Sequence, residues 1–186
     1  MLQRTVRVLA IVFLTAFING CDKLGDAVVS PQASNNLIAN SSFESNSNFS
    51  LQDWNIVLSA GSIDSARDAA PGGGTWSVMI HDVGGFPPVG HIRFTAPAPM
   101  GTHVYRFSLW AKYFRDAGSA SLSLKRPDTL YDLRSIRFSD TLWTLYGSID
   151  TVTTSAGDSI RVTLGGGLGI VGAKTFYDLC NLEVLN

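Results

Sequence analysis

The chain has few cysteines, few histidines and no apolar run long enough to cross a bilayer, and each shortage closes off a class of protein. Its 186 residues include only Cys21 and Cys180. Two cysteines allow at most one bridge, so a disulfide framework is excluded and a hydrophobic core must supply the stability. The three histidines, His81, His91 and His103, lack the spacing of a transition-metal site. An excess of positive charge is also missing: 14 basic residues face 15 acidic ones, a net charge of −1, which argues against a nucleic-acid binder. Catalytic signatures are equally scarce. No Gly-x-Ser-x-Gly elbow occurs, and no pair of acids is framed as glycosidase carboxylates would be. Gly167-Leu168-Gly169-Ile170-Val171-Gly172 matches GxGxxG in form, but the 14 residues after it read as one strand, where a dinucleotide fold needs a helix, a further strand and an acid. It reads as a glycine-rich turn.

What is present begins with IVFLTAFINGCDK near the N-terminus. The run from Val8 to Ile18 is apolar except for Thr15, and it follows a stub carrying Arg4 and Arg7. A spanning helix needs about 20 apolar residues, so this stretch has the proportions of a secretory signal. Ile18-Asn19-Gly20-Cys21 resembles a bacterial lipobox, which implies cleavage before Cys21 and diacylation of its thiol. The alternative is an ordinary signal peptide with a coincidental Cys. Lipidation would leave Cys180 alone and no disulfide within a monomer. Without Arg4 and Arg7 the balance becomes 12 basic to 15 acidic residues, a net charge of −3. Two acyl chains, at about 0.8 kcal/mol per buried CH2, suffice for stable attachment to a membrane of the bacterial cell envelope. Asp22 after the Cys resembles an inner-membrane retention signal of enteric bacteria, so inner and outer membranes both stay open.

Residues 22–36, DKLGDAVVSPQASNN, are small and polar and read as a flexible tether. The division expected is a signal over 1–20, a lipidated Cys and tether over 21–35, and one domain over 36–186. A domain of that size buries about 70% of its extended surface. Past the tether, short runs rich in Val, Ile, Phe, Tyr, Trp and Thr alternate with turn residues: LIANSSFE, WNIVLSA, WSVMIHDV, HIRFTA, VYRFSLWAKYF, SASLSLKR, LRSIRF, WTLYGSID, SIRVTLG and FYDLCNLEVL. No window outside the signal has apolar residues at helical spacing. The pattern predicts an all-β domain, a two-sheet antiparallel β-sandwich of the jelly-roll kind, behind a helical signal segment and a tether.

Asn36-Leu37-Ile38-Ala39-Asn40-Ser41-Ser42-Phe43-Glu44 resembles the opening strand, Asn-Leu-Ile-x-Asn-Gly-x-Phe-Glu, of CenC-like carbohydrate-binding modules of the galactose-binding-like jelly-roll group. Trp54, Gly74-Thr75-Trp76-Ser77-Val78, Tyr105 to Lys112, Leu142 to Tyr146 and Phe176 to Leu179 follow in that family's order. Ser41 replaces its usual Gly, and Leu179 stands where a second Asp is common. The resemblance implies a non-catalytic domain whose partner is a polysaccharide or cell-envelope glycan. It also implies a structural calcium tying the first strand to the last, with Glu44 and Asp178 as the matching carboxylates. Calcium takes six to eight oxygens, so backbone carbonyls and water would complete the shell. The plain alternative is a pair of ordinary edge carboxylates.

Alternation sorts the strand faces. Tyr105, Phe107, Leu109 and Ala111 read as core, and Arg106, Ser108, Trp110 and Lys112 as the outer side of the same strand. Ser121, Ser123 and Lys125 oppose Ala120, Leu122 and Leu124, while Arg161 and Thr163 oppose Ile160, Val162 and Leu164. The expectation is one polar sheet face with Trp110 as a stacking platform and Arg106, Lys112, Ser121, Ser123, Lys125 and Arg161 around it as ligand-binding residues. Arg93 joins the cations that would favour an acidic glycan, though charges on a wet face are usually only solvated. Trp54, Trp76 and Trp143 read as core or structural, and Cys180 as an inward-facing small hydrophobe. Two other readings stand beside glycan binding. One is a structural or assembly lipoprotein that docks a protein partner, and the other is a lyase or hydrolase built on a jelly roll.

Overall fold

A computed structural model describes residues 35–57, 61–83, 90–167 and 170–185 of the protein. The expected signal, Cys21 and the tether lie outside the described residues. A two-strand hairpin, β1 (Glu44–Ser45) and β2 (Asn48–Phe49), comes first. The remaining strands are β3 (Asn55–Val57), β4 (Gly61–Ala66), β5 (Ser77–Asp82), β6 (His91–Pro97), β7 (Gly101–Phe114), β8 (Ser119–Lys125), β9 (Leu130–Arg137), β10 (Thr144–Thr154), β11 (Ser159–Gly165) and β12 (Lys174–Leu185). They form two five-stranded antiparallel sheets, in the orders β10-β7-β12-β5-β4 and β3-β6-β11-β8-β9. From β5 onward the chain passes repeatedly between the sheets, as jelly-roll winding requires. The all-β sandwich expected from the alternating runs is what the chain adopts, and no helix occurs among the described residues.

The core is the sum of the inner faces. From the first sheet come Val78, Ile80, Tyr105, Phe107, Leu109, Ala111 and Tyr177, and from the second Ile92, Phe94, Leu122, Ile136, Ile160, Val162 and Leu164, all buried. Trp54 closes one region of it, its ring 5.1 Å from Phe43 and 5.9 Å from Phe94. Phe138 lies edge-on to both Tyr146 and Tyr177, at 4.9 and 5.4 Å. The Tyr177 hydroxyl crosses the sandwich from β12, donating to the carbonyl oxygens of Ser119 and Gly165 on the second sheet. A buried hydroxyl without such partners would be costly.

Two local readings are corrected. LIANSSFE is not a strand along its length: Leu37 to Phe43 form an arch of turns between a single antiparallel bridge, Asn36 to Glu183, and Glu44 at the start of β1. Polar side chains replace the ladder there. Asn36 Oδ1 accepts from the backbone of Ile38 (3.1 Å) and Leu182 (2.8 Å), Asn40 Nδ2 donates to Ser50 and Gln52 carbonyls, and the Trp54 indole donates to Asn40 O. Asparagine side chains that bond the backbone locally compete with sheet pairing. The second correction is β4, GSIDSA, a polar edge strand with too little apolar alternation to be foreseen.

Candidate functional site

The outward residues of β7 and those of β8 and β11 belong to opposite sides of the sandwich. β7 is in the first sheet, whereas β8 and β11 are in the second. The single face expected to hold Trp110, Arg106, Lys112, Ser121, Ser123, Lys125 and Arg161 therefore does not exist, and the set divides in two. Alternation assigns a residue to a side of its strand but carries no information on which sheet the strand joins, and Asp116 to Gly118 takes the chain across.

On the first sheet, Trp110 is half-buried and paired in register with Leu145 and Asp178. Its neighbours are already engaged. Lys112 Nζ is ion-paired with Asp68 and stands 4.9 Å from the Trp143 ring centroid and 5.1 Å from that of Phe176. The Trp143 indole donates to Asp68 Oδ1 at 3.1 Å. Burial would raise the Asp68 carboxyl, but the hydrogen bonds from Lys112 and Trp143, with the Lys112 charge, hold it below the usual aspartate range. Trp76 is held similarly, its indole on Ser47 O and Arg67 over its ring at 4.8 Å. Trp76 and Trp143 are half-buried and outside the core cluster, while Trp54 lies within it. Arg106 pairs with Glu183 at 3.5 Å. A hollow of about 420 Å³ lined by Lys112, Tyr113, Phe114, Thr141, Lys174 and Phe176 lies at one end of this face.

The outer face of the second sheet is polar. One row across it runs Asn55, Arg93, Thr163, Ser121 and Ser135, and the next Thr95, Arg161, Ser123 and Asp132. Ser123 is buried and its hydroxyl donates to Asp132 Oδ1 at 2.9 Å, so of the expected residues it is the least available. Lys125 is exposed at the end of β8, opposite Ser159. Asn55, Thr95 and Thr163 were not foreseen as site residues. For Thr95 and Thr163 the signal was present in the alternation of HIRFTA and SIRVTLG, but only the register brings the two strands side by side.

Glu44 and Asp178, 134 residues apart in sequence, do come together. The device is a β-bulge in β12, where the register shifts between Asp178 and Asn181 and Leu179 takes a positive φ of 45°. Asp178 then lies beneath the connection from β4 to β5. Its Oδ2 accepts from Ala70 N (2.9 Å) and its Oδ1 from Leu179 N (2.7 Å). Glu44 Oε1 accepts from the backbone of Thr75 and Trp76. Between them are two consecutive glycines. A Cβ on Gly73 would overlap the Asp178 carboxyl, and one on Gly74, whose φ is +87°, would stand 2.7 Å from both Glu44 carboxylate oxygens. Burial above all, with the Glu44 charge adding to it, pushes the Asp178 carboxyl up to about 7 despite the hydrogen bonds from Ala70 and Leu179. A buried aspartate next to a second carboxylate fits a small cation with oxygen ligands. Among the described residues no third His, Cys, Asp or Glu joins them.

No family model matches this chain, and no curated protein matches it. Solved structures do. The module TmCBM61, solved with β-1,4-galactotriose, is 19% identical and superposes with a TM-score of 0.55 over 82% of this chain and 100% of its own. The C-terminal family 22 carbohydrate-binding module of Clostridium thermocellum Xyn10B is 12% identical, with a TM-score of 0.56 over 83% of this chain and 96% of the module. The enzymatically active domain of tailspike protein 4 of bacteriophage CBA120 is 14% identical, with a TM-score of 0.61 over 81% of this chain. This chain spans about a fifth of that tailspike chain, 21%. At such identities the likeness is one of fold: the domain has the sandwich fold of carbohydrate-binding modules.

Proposed function

We propose that this chain is a non-catalytic glycan-binding module, tethered to a membrane of the bacterial cell envelope by a lipid on Cys21. The observation that carries the binding part is the polar outer face of the second sheet, where Asn55, Thr95, Thr163 and Ser121 present amide and hydroxyl groups in register on a fold shared with carbohydrate-binding modules. Rigid strands hold these donors and acceptors at fixed spacing, which is what reading a sugar's hydroxyls requires. The anchor rests on the lipobox-like Ile18 to Cys21 and the apolar run before it. Trp110 is the competing platform, on the other sheet, partly covered and beside a Lys112 that is already paired.

The test is retention of the full chain on a panel of insoluble and gel-embedded polysaccharides, with Thr163→Val and Trp110→Ala side by side. Loss of retention in Thr163→Val with Trp110→Ala unaffected places the sugar on the second sheet, and the reverse outcome moves the site to the first. No retention on any polymer would end the glycan reading. It would favour a protein-docking role, for which exposed Phe114, Leu142, Ile170 and Val171 provide apolar surface.

Glu44 and Asp178, floored by Gly73 and Gly74, are the residues we assign to a structural calcium ion. The ion would neutralise the two carboxylates and join the start of the domain to β12. Calcium raising the melting temperature of the wild type, and having no effect on Asp178→Asn, is the outcome this assignment requires.

A further inference from the structure

Arg93 on β6 and Arg161 on β11 lie diagonally across adjacent strands at the middle of the second sheet, Arg93 facing Thr163 and Arg161 facing Thr95. Diagonal neighbours on a sheet are within reach of long side chains, and like charges at that distance repel. Here no acid pairs with either among the described residues. The Nε of each is buried without a hydrogen-bond partner. Loss of solvent, and then the Arg161 charge, hold the Arg93 guanidinium below its ordinary range. Carboxylates on or beside this sheet have other partners. Asp132 accepts the Ser123 hydroxyl, Asp116 faces Arg137 at 3.8 Å, Asp150 faces Arg134 at 3.3 Å, and Asp158 faces Arg126 at 3.6 Å.

We infer that this face takes an anionic saccharide, with a carboxylate or sulfate group of the sugar held between Arg93 and Arg161. The inference rests on the glycan-binding reading and narrows it. A guanidinium offers a planar fork of donors that matches carboxylate and sulfate oxygens, and two forks side by side supply more donors than one anion can use. The group that relieves the repulsion comes from the ligand. Around the pair, Asn55, Thr95, Thr163 and Ser121 remain for uncharged parts of the same sugar chain. The chain's net charge of −1 works against indiscriminate attraction to polyanions, so retention on an acidic polymer reports a local site.

The experiment is affinity electrophoresis of the full chain at about 0.15 M salt in four gels. Polygalacturonate is paired with its carboxyl-reduced form, and dextran sulfate with dextran. Stronger retention on one acidic polymer than on its neutral counterpart, by about tenfold or more in apparent affinity, is expected, and which pair shows it separates carboxylate from sulfate. Arg93→Gln and Arg161→Gln should each abolish that preference while melting no lower than wild type, because each relieves the repulsion. Should either variant fail to fold, the wild type still decides the matter: galacturonate or galactose 6-sulfate, but not galactose, should raise its melting temperature. Equal retention on acidic and neutral polymers overturns this inference and leaves glycan binding intact. A preference unchanged in both variants overturns it as well, and retention on no polymer removes both.

Discussion

At the scale of single residues, the same side-chain type has opposite roles according to what surrounds it. Trp54 is buried between Phe43 and Phe94 with its indole N–H on Asn40 O, so Trp54→Ala should remove about 3–5 kcal/mol of stability, read as a loss in chemical denaturation. Trp110 is half-buried, and Trp110→Ala should cost clearly less in the same assay. Asp178 gives a pH signature. Its carboxyl stands at about 7 in the fold against 3.8 for an unperturbed aspartate, so folding favours the protonated form. In chelator the contribution is fully present below about pH 4, is lost as the pH rises towards about 7, and changes little beyond. Thermal melts across that window should show the slope, and both added calcium and Asp178→Asn should flatten it.

At the scale of elements, the bulge in β12 and the glycine pair in the β4–β5 connection act together. An unbroken β12 would continue its alternation past Asp178, and the residues after it would change sides. With one extra residue, Asp178 stays against the connection while Cys180 and Leu182 still point into the core. Gly74 is needed twice, for its positive φ and for the closeness of Glu44. Gly74→Ala should therefore lower the melting temperature in chelator and also shrink the rise that calcium produces, whereas a surface change such as Gly157→Ala, also at positive φ but with open space around it, should affect only the first. Differential scanning fluorimetry with and without calcium reads both.

At the scale of the whole molecule, the two sheets expose unlike surfaces. The first carries cations matched to acids, with Lys112 on Asp68 and Arg106 on Glu183, and rings covered by side chains. The second carries hydroxyls and two arginines with no ion pair among the described residues, and it is the side we propose for a polar, anionic ligand. Asn36, near the start of the described residues, bridges to Glu183 of β12 in the first sheet. An anchored protein should partition into the detergent phase in Triton X-114, and Cys21→Ser should return it to the aqueous phase. An unchanged partition would refute the lipid on Cys21.

The β-sandwich was legible in the residues because burial on one side of a strand imposes a period of two, and VYRFSLWAKYF, SASLSLKR and SIRVTLG keep that period whatever their partners. The inward side chains of β7 and the core position of Trp54 follow from the same local rule or from motif order, whereas Cys180, three residues from the inward Tyr177, points into the core only because of the bulge. The composition of each outer face did not follow, because it is made by neighbours across strands, and a strand's register and sheet are settled by long-range hydrogen bonding and packing that leave no mark on its own alternation. For the same reason the sequence by itself could name Arg93 and Arg161 as outward cations, but only the tertiary structure, by setting β6 against β11, made them an unpaired couple, and only the bulge in β12 brought Asp178 to Glu44.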